Sequence, residues 1–445
     1  MLGIELTNRI KQLNPWIINP EKTEMYIHRF LPDNYIHRQI EETPAKKDRA
    51  VLIVGPRQAG KTTMIWHLLR QVMPDILYLN MEDPLLRTGP IDPVDVVELI
   101  QKDYAFVKAI FIDEIQHLVE AGLFVKGLVD ARLDRQIWVT GSSSYDLRSK
   151  TRESLAGRVI RRRIMPFSVG ELLRHTPQPN LPAEKQLCEQ ILLHQLVFGS
   201  YPSIYQSEPN DEKIMLLNDL VEALILRDAS DLFKIKRVDA FRKLLTLLAG
   251  QTGSLLNMSE LASICNIDVG TITSYIQLLE ESHIVKKLLP FAGGKRREIT
   301  GAPKVYFIDN GIRNHLLNNF STELDLRIDK GQLLENWAFS EIHKTLPFQA
   351  SLKFWRSKAK AEVDFIIEYA GKVYALEVKF ASLKSQKVSK SVWSFIEAYQ
   401  PEEFIIVNMS LDSSIALKKT KINFITPYEL IKWLNTIFQV IKFSS

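Results

Sequence analysis

Cysteine is nearly absent: Cys188 and Cys265 are the only two in 445 residues, far apart and without metal-ligand spacing. That excludes a disulfide scaffold and a thiolate metal centre, and it points to buried thiols in a reducing compartment. Long apolar runs are missing too. The longest, such as 403–408, are strand-sized, well short of the roughly 20 residues that a membrane-spanning helix needs. The first residues, MLGIELTNRIKQLN, place polar groups where a signal peptide requires a continuous apolar stretch. No repeat or low-complexity tract stands out. The expectation is a cytoplasmic protein with no membrane partner. Its 46% hydrophobic and 24% charged residues are ordinary for globular proteins, and its length predicts two to four domains.

Charge of one sign is also scarce overall, with a net of +5. Its placement is uneven, however. Residues 353–390 hold nine Lys/Arg against four Asp/Glu, an excess equal to that of the whole chain. Such a run is ordinarily a solvated face, so the acids inside it decide what it means.

Along the chain, residues 1–48 read as a helical lead-in. Four β-branched, apolar strands are predicted at 51–54, 76–80, 109–113 and 137–141, with a fifth at 162–167. Helical patterns alternate with them, which predicts a parallel sheet covered on both faces over 49–167. The pattern turns helical over 168–250, with Leu172, Leu173, Leu192, Leu193 and Leu196 among the apolar positions. Residues 251–320 read as two helices and a β-hairpin with strands at 283–290 and 304–308. Residues 330–445 open with a helix and continue as mixed strands and helices.

Gly55-Pro56-Arg57-Gln58-Ala59-Gly60-Lys61-Thr62 matches GxxxxGK[ST] at every fixed position. It follows a strand and opens a helix, the setting in which curled backbone N–H groups and a helix N-terminus cradle phosphate. Lys61 is placed for the β- and γ-phosphates of ATP, Thr62 for Mg²⁺, with Thr63 beside it. The third strand ends in Asp113-Glu114, at the sheet edge where ligands bind. Asp113 is expected in the Mg²⁺ shell, and Glu114 is expected to orient or deprotonate the attacking water. The fourth strand runs into Thr140-Gly141-Ser142-Ser143, which brings hydroxyls, Ser142 among them, toward the γ-phosphate. Asn80 is a candidate polar switch near Glu114.

On these residues the chain resembles the AAA+ branch of P-loop ATPases. More narrowly, it is similar to a bacterial and archaeal family in which an AAA+ module precedes a winged helix and a nuclease-like domain. The resemblance is carried by GPRQAGKT from Gly55, YLNMEDP from Tyr78, FIDEIQ from Phe111, TGSSS from Thr140 and ESLAGR from Glu153. It implies an α/β fold: a P-loop AAA+ parallel-sheet domain, a helical lid, a winged helix and a C-terminal α/β restriction-endonuclease-like domain. It also implies a homo-oligomer, with Arg158 near nucleotide or as a finger toward a neighbouring subunit. Arg152 competes for that role, and a plain surface arginine is the third reading.

In the segment resembling a winged helix, Val269, Ile272, Ile276 and Leu279 form one apolar stripe. Thr271, Thr273, Ser274, Tyr275 and Gln277 lie off it and could meet a DNA groove. Lys286, Lys287, Lys295, Arg296 and Arg297 would contact phosphates. That helix has no Lys or Arg of its own, so a packing module stays open as the alternative.

In the last segment, a tight hairpin centred on Ala370-Gly371 pairs residues whose numbers sum to 741. Asp364 then lies opposite Glu377, and Lys379 opposite Glu362. Opposed carboxylates with no fixed cation between them invite a divalent metal, and Lys379 could steer a water or steady charge on a phosphate. This Asp…Glu-Val-Lys pattern resembles the PD-(D/E)xK nucleases, with Glu335 matching their upstream helical acid. Trp355-Arg356 would suit a phosphate backbone. Metal-dependent cleavage and an inactive nucleic-acid-binding relic both stay open, because fold does not establish cleavage. The leading expectation is a DNA-binding AAA+ ATPase with a metal-dependent nuclease domain. Its rival is a slow nucleotide-gated switch with a non-cleaving domain, and a protein-remodelling motor is third.

Overall fold

A computed structural model describes residues 3–42, 47–89, 91–141, 155, 157–224, 235–291 and 301–438. The chain divides into two compact units. The first runs to Pro166 and takes in Glu281–His283; the second holds Phe167–Glu280 and the chain from Ile284 onward.

The first unit is built on five parallel strands: β1 (Ala50–Val54), β2 (Ile76–Asn80), β3 (Ala109–Asp113), β4 (Gln136–Gly141) and β5 (Val159–Arg163). Their order is β2-β3-β4-β1-β5. Four of the strands lie within a residue of the sequence expectation. The fifth begins earlier than 162–167, because an edge strand needs only one apolar side and tolerates Arg161, Arg162 and Arg163.

Strand alternation sends Leu52, Leu77, Leu79, Ile110 and Ile112 to one face, against the helices Pro93–Asp103 and Ala121–Asp130. Val51, Ile53, Ile76, Tyr78 and Phe111 go to the other face, against the helix Lys61–Leu69. Burial on both faces is why these strands read as continuous apolar runs. The lead-in covers the open edge of β2. Asn14 Nδ2 donates to the Tyr78 carbonyl at 2.9 Å, and the Tyr78 N–H donates back to Asn14 Oδ1 at 2.6 Å. Trp16 Nε1 donates to the Ile76 carbonyl at 2.9 Å, so the edge is occupied by side chains rather than left for another chain.

The second unit opens with helices from Val169–His175 to Val238–Gly250, then Met258–Cys265 and Val269–Glu281. An antiparallel ribbon follows, β6 (Val285–Leu288) with β7 (Lys304–Phe307). The helix Lys330–Thr345 then leads into a mixed six-stranded sheet. Its strands are β8 (Ser351–Arg356), β9 (Glu362–Tyr369), β10 (Lys372–Val378), β11 (Glu403–Val407), β12 (Ser413–Leu417) and β13 (Thr420–Ile425), in the order β12-β13-β11-β10-β9-β8.

Buried polar groups stitch this unit together. Trp337 Nε1 donates to Gln195 Oε1 at 2.8 Å, and Asn314 Nδ2 donates to the Leu196 and Val197 carbonyls at 2.8 Å each. The fully buried Glu341 accepts from the Val169 N–H and pairs with Lys344, both at 2.8 Å. Apart from Glu281–His283, the described residues of segments 168–250, 251–320 and 330–438 therefore lie within the second unit.

Candidate functional site

The loop from Gly55 to Gly60 leaves β1 at the C-terminal edge of the sheet and enters the helix Lys61–Leu69. Gly55 is demanded by space: a Cβ there would lie 2.0 Å from the Ile164 carbonyl oxygen. Gly60 is demanded by backbone, with φ +90° at the helix N-cap. Lys61 is buried and its Nζ donates to the loop's own carbonyls, Pro56 at 2.8 Å and Gly55 at 3.2 Å. Pro56, Arg57, Gln58, Ala59, Thr62 and Thr63 complete the turn and the first helical residues.

Thr62 and Asp113, distant in sequence, meet here: the hydroxyl donates to Asp113 Oδ1 at 2.9 Å. Asp113 also accepts from the Thr140 hydroxyl and, at 3.1 Å, from the Tyr78 hydroxyl. Burial first, then the neighbouring Glu114 charge, pushes the Asp113 carboxyl up to about 6 against those three hydroxyls. Glu114 is held below the usual carboxylate range. Burial opposes this, but the Lys61 charge, a Gln116 amide hydrogen bond and the Arg57 charge outweigh it. Its backbone is in the left-handed region, φ +53°, and its N–H donates to Thr140 Oγ1 at 2.9 Å. A non-glycine residue there turns the chain sharply off the strand, and the Thr140 bond holds it.

The donors beside the loop are hard oxygens, the set that suits Mg²⁺. The Thr62 hydroxyl and the Asp113 carboxylate would hold the ion, which when bound neutralises phosphate charge.

Two residues that sequence reasoning passed over belong to this group. Tyr78, which opens YLNMEDP, sits opposite Phe111 in the β2–β3 register, and Gln116 closes FIDEIQ, but the sequence reading gives neither a place in the site. Asn80 pairs with Asp113 in the strand register, but its side chain accepts from the Glu82 N–H at 2.9 Å. It caps a turn instead of reaching Glu114. Ser142 and Arg152 lie outside the described residues.

Arg158 does not join the phosphate loop. It immediately precedes β5, and Val159 pairs with Ala50 at the start of β1, whereas the loop follows Val54. The two ends of β1 are about 13 Å apart, four residues at roughly 3.3 Å each. Arg158 instead pairs with Asp130 at 2.6 Å.

In the second unit the hairpin register is as expected, with Lys372 opposite Tyr369 and Leu376 opposite Phe365. One step further, Asp364 Oδ2 accepts from the Val378 N–H at 2.8 Å. Lys379, just past the end of β10, pairs with Glu377 at 3.1 Å. Beside Asp364 and Glu377 stands a cation that contacts Glu362 and Glu335 rather than either of them, namely Lys304. Its ammonium, 2% exposed, lies 2.5 Å from Glu362 and 3.7 Å from Glu335, and Tyr306 donates to Glu335 at 2.6 Å.

Burial opposes the Lys304 charge, but Glu335, Asp364 and Glu362 outweigh it and hold the proton more tightly than usual. Burial and the Glu335 charge push Asp364 well above the carboxylate range, and burial raises Glu335 against the pull of Lys304. Among the described residues, Glu335, Asp364 and Glu377 do not bring three ligand atoms within metal-binding reach of one another.

Of the other residues expected to face nucleic acid, Thr273, Ser274 and Gln277 are exposed, whereas two aromatics are buried and several cations are paired with acids. Trp355 is buried against Phe395, and Arg356 pairs with Glu362 at 3.1 Å. Tyr275 is buried against Phe241. Lys286 and Lys287 both pair with Glu280, at 3.3 and 3.0 Å. Lys295, Arg296 and Arg297 lie outside the described residues. By contrast, Lys358, Lys360, Lys384, Lys387 and Lys390 are exposed and make no ion pair among the described residues. Ser389 and Ser391 bond Glu377 and the Glu362 N–H at 3.4 and 3.3 Å, which fixes the start of the helix Lys390–Tyr399 beside the acids.

Residues 189–323 and 330–431 each match a family described as a domain of unknown function (DUF8612 and DUF4143). The uncharacterized protein Rv2008c of Mycobacterium tuberculosis is 26% identical over 359 residues, covering 80% of this chain and 76% of that one. The uncharacterized protein MJ1637 of Methanocaldococcus jannaschii is 24% identical over 426 residues, covering 86% and 88%. Solved structures that align include the Thermotoga maritima RuvB Holliday junction branch migration motor and AMPPCP-bound DnaA from Aquifex aeolicus. Their identities are 16% and 13%; each covers 64% of this chain and 90% of the other, at TM-scores of 0.24 and 0.25. Likeness that slight carries no activity across. No helix among the described residues is long and apolar enough to cross a membrane. Residues 47–173 match the family described as AAA domain, a match in keeping with the parallel sheet and phosphate loop above.

Proposed function

We propose that the chain is a Mg²⁺-dependent AAA+ ATPase that works on DNA through its second unit. The observation that carries the first half is the Thr62–Asp113 contact at 2.9 Å beside the loop of Lys61. The loop N–H groups and Lys61 bind the β- and γ-phosphates of ATP. Glu114, held ionised, orients the attacking water and takes its proton. Arg158, on the far edge of the sheet, acts on a neighbouring subunit's nucleotide in a homo-oligomer. Calorimetric titration tests this: ATP with Mg²⁺ binds the wild type, and Lys61→Ala abolishes the binding heat. An unchanged isotherm in that variant removes the assignment.

The DNA partner rests on the exposed lysines 358, 360, 384, 387 and 390, whose charge no neighbour among the described residues offsets. The winged-helix-like segment serves chiefly in packing, in keeping with buried Tyr275 and the pairing of Lys286 and Lys287.

For the acid cluster, Lys304 favours the second reading, a nuclease-like domain that binds DNA without cutting it. An ammonium already balances the charge that a metal would otherwise balance. Digestion of single-stranded, duplex and branched DNA with Mg²⁺ or Mn²⁺ decides between the two readings. The non-cleaving reading predicts intact DNA. Cleavage lost in both Asp364→Ala and Lys379→Ala would restore the nuclease, with Glu335, Asp364 and Glu377 as its metal ligands.

A further inference from the structure

In the first unit, away from the phosphate loop itself, His37, Glu41 and His67 each bring one ligand atom within 4.8 Å of the others. They are the one such grouping of three among the described residues. His37 Nδ1 is 3.4 Å from Glu41 Oε2, and His67 Nε2 is 3.9 Å from the same oxygen. A tetrahedral zinc with bonds of roughly 2.0–2.2 Å spaces its ligand atoms about 3.3–3.5 Å apart. The first distance already fits, and the second needs about half an ångström of side-chain adjustment.

The geometry points to a transition-metal site, with Zn²⁺ the preferred ion, held by His37, Glu41 and His67 and leaving a fourth position for water. Two imidazoles and one carboxylate suit zinc rather than Mg²⁺ or Ca²⁺, which prefer oxygen alone. The supporting shell is built as such sites require. Glu41 Oε1 accepts from the Tyr35 hydroxyl at 2.5 Å and from the Arg38 N–H at 2.7 Å, so Oε2 is the oxygen turned to the imidazoles. The Tyr35 ring stacks on His67 with centroids 4.1 Å apart and fixes that imidazole. The His37 side chain is 70% exposed, which gives an ion its path in.

Such an ion would clamp residues 35–41 onto the helix Lys61–Leu69. Arg38, within that segment, donates to the Ala59 carbonyl of the phosphate loop at 2.8 Å. The clamp would therefore stiffen the loop from behind. Its existence does not depend on the ATPase reading, because it requires no nucleotide.

Cobalt tests it. Full-length chain stripped with a chelator and titrated with Co²⁺ should take up one equivalent with the visible bands of tetrahedral N/O coordination, and Zn²⁺ should displace it. His37→Gln, Glu41→Gln and His67→Gln should each weaken binding at least tenfold. Asp113→Asn, at the phosphate site, should leave the bands in place. His37 is exposed, so His37→Gln should match the wild type's metal-free melting temperature and separate lost binding from lost folding. The proposal is overturned by a wild type without the bands, by any of the three ligand variants binding within tenfold of wild type, or by loss of the bands in Asp113→Asn.

Discussion

The ammonium of Lys304, on the ribbon strand β7, lies 2.5 Å from Glu362 on β9. With Glu335 at 3.7 Å it makes one buried ion cluster out of residues from three elements of the second unit. Removing the cation while leaving the acids is the costly operation in such a cluster.

Lys304→Met should therefore destabilise the chain by about 3–5 kcal/mol at neutral pH. The cost should depend on pH. Lys304 has its folded pKa raised, so its contribution is present below the unfolded value near 10.4 and is lost above the folded one. Asp364 and Glu335 bind protons more tightly folded than unfolded, so without Lys304 stability falls as pH rises above about 4. Urea denaturation at pH 5 and pH 8 checks this: the variant's deficit is larger at pH 8. An equal deficit at both would mean that the lysine acts only by filling space.

Asp113 carries a second pH dependence. Its carboxyl, at about 6 in the folded chain, must lose its proton to hold Mg²⁺. Mg²⁺ affinity in the presence of ATP should be flat above about pH 6 and fall close to tenfold per unit below it. Because that pKa is raised from about 3.9, the nucleotide-free domain should lose stability between pH 4 and 6 rather than gain it. A Mg²⁺ affinity constant down to pH 5 would take Asp113 out of the ion's shell.

DNA binding should be steeply salt-dependent. Each phosphate neutralised contributes about −0.9 to the slope of log affinity against log salt for duplex DNA. Replacing Lys358 and Lys360 by Gln should lower that slope by about 2 and weaken binding alike on all sequences. A double variant with the wild-type slope would place the DNA elsewhere.

Asn14 is a fold-level test. Its side chain completes both the N–H and the carbonyl of Tyr78 on the open edge of β2. Asn14→Ala leaves both buried groups unpaired and should cost about 2–3 kcal/mol in chemical denaturation. A loss below about 0.5 kcal/mol would mean that water or another group replaces it.

The phosphate-loop domain was legible because its signals are local. Four doubly buried strands read as apolar runs, and GxxxxGKT with Asp113-Glu114 fixes residue types at set positions. The hairpin at 364–377 was legible because a tight turn fixes register arithmetically. What stayed hidden depends on long-range partners. Lys304 reads as one more surface lysine until β7 is packed against β9. Trp355 and Tyr275 look like binding residues until their neighbours bury them. Arg158 is placed near the nucleotide only by the family resemblance, and the parallel register carries it to the other end of β1 from the phosphate loop. His37, Glu41 and His67 match no motif at all, because Glu41 and His67 are separated by a whole strand and loop.

The central claim is that the Lys61–Thr62–Asp113–Glu114 arrangement hydrolyses ATP. Phosphate release under Mg²⁺, measured side by side for wild type, Lys61→Ala and Glu114→Gln, tests it most directly. The account predicts turnover in the wild type and none in Lys61→Ala. It predicts that Glu114→Gln keeps ATP binding while its rate falls at least a hundredfold, the scale expected when the group that positions and deprotonates the water is lost. Wild-type rates in both variants would contradict it.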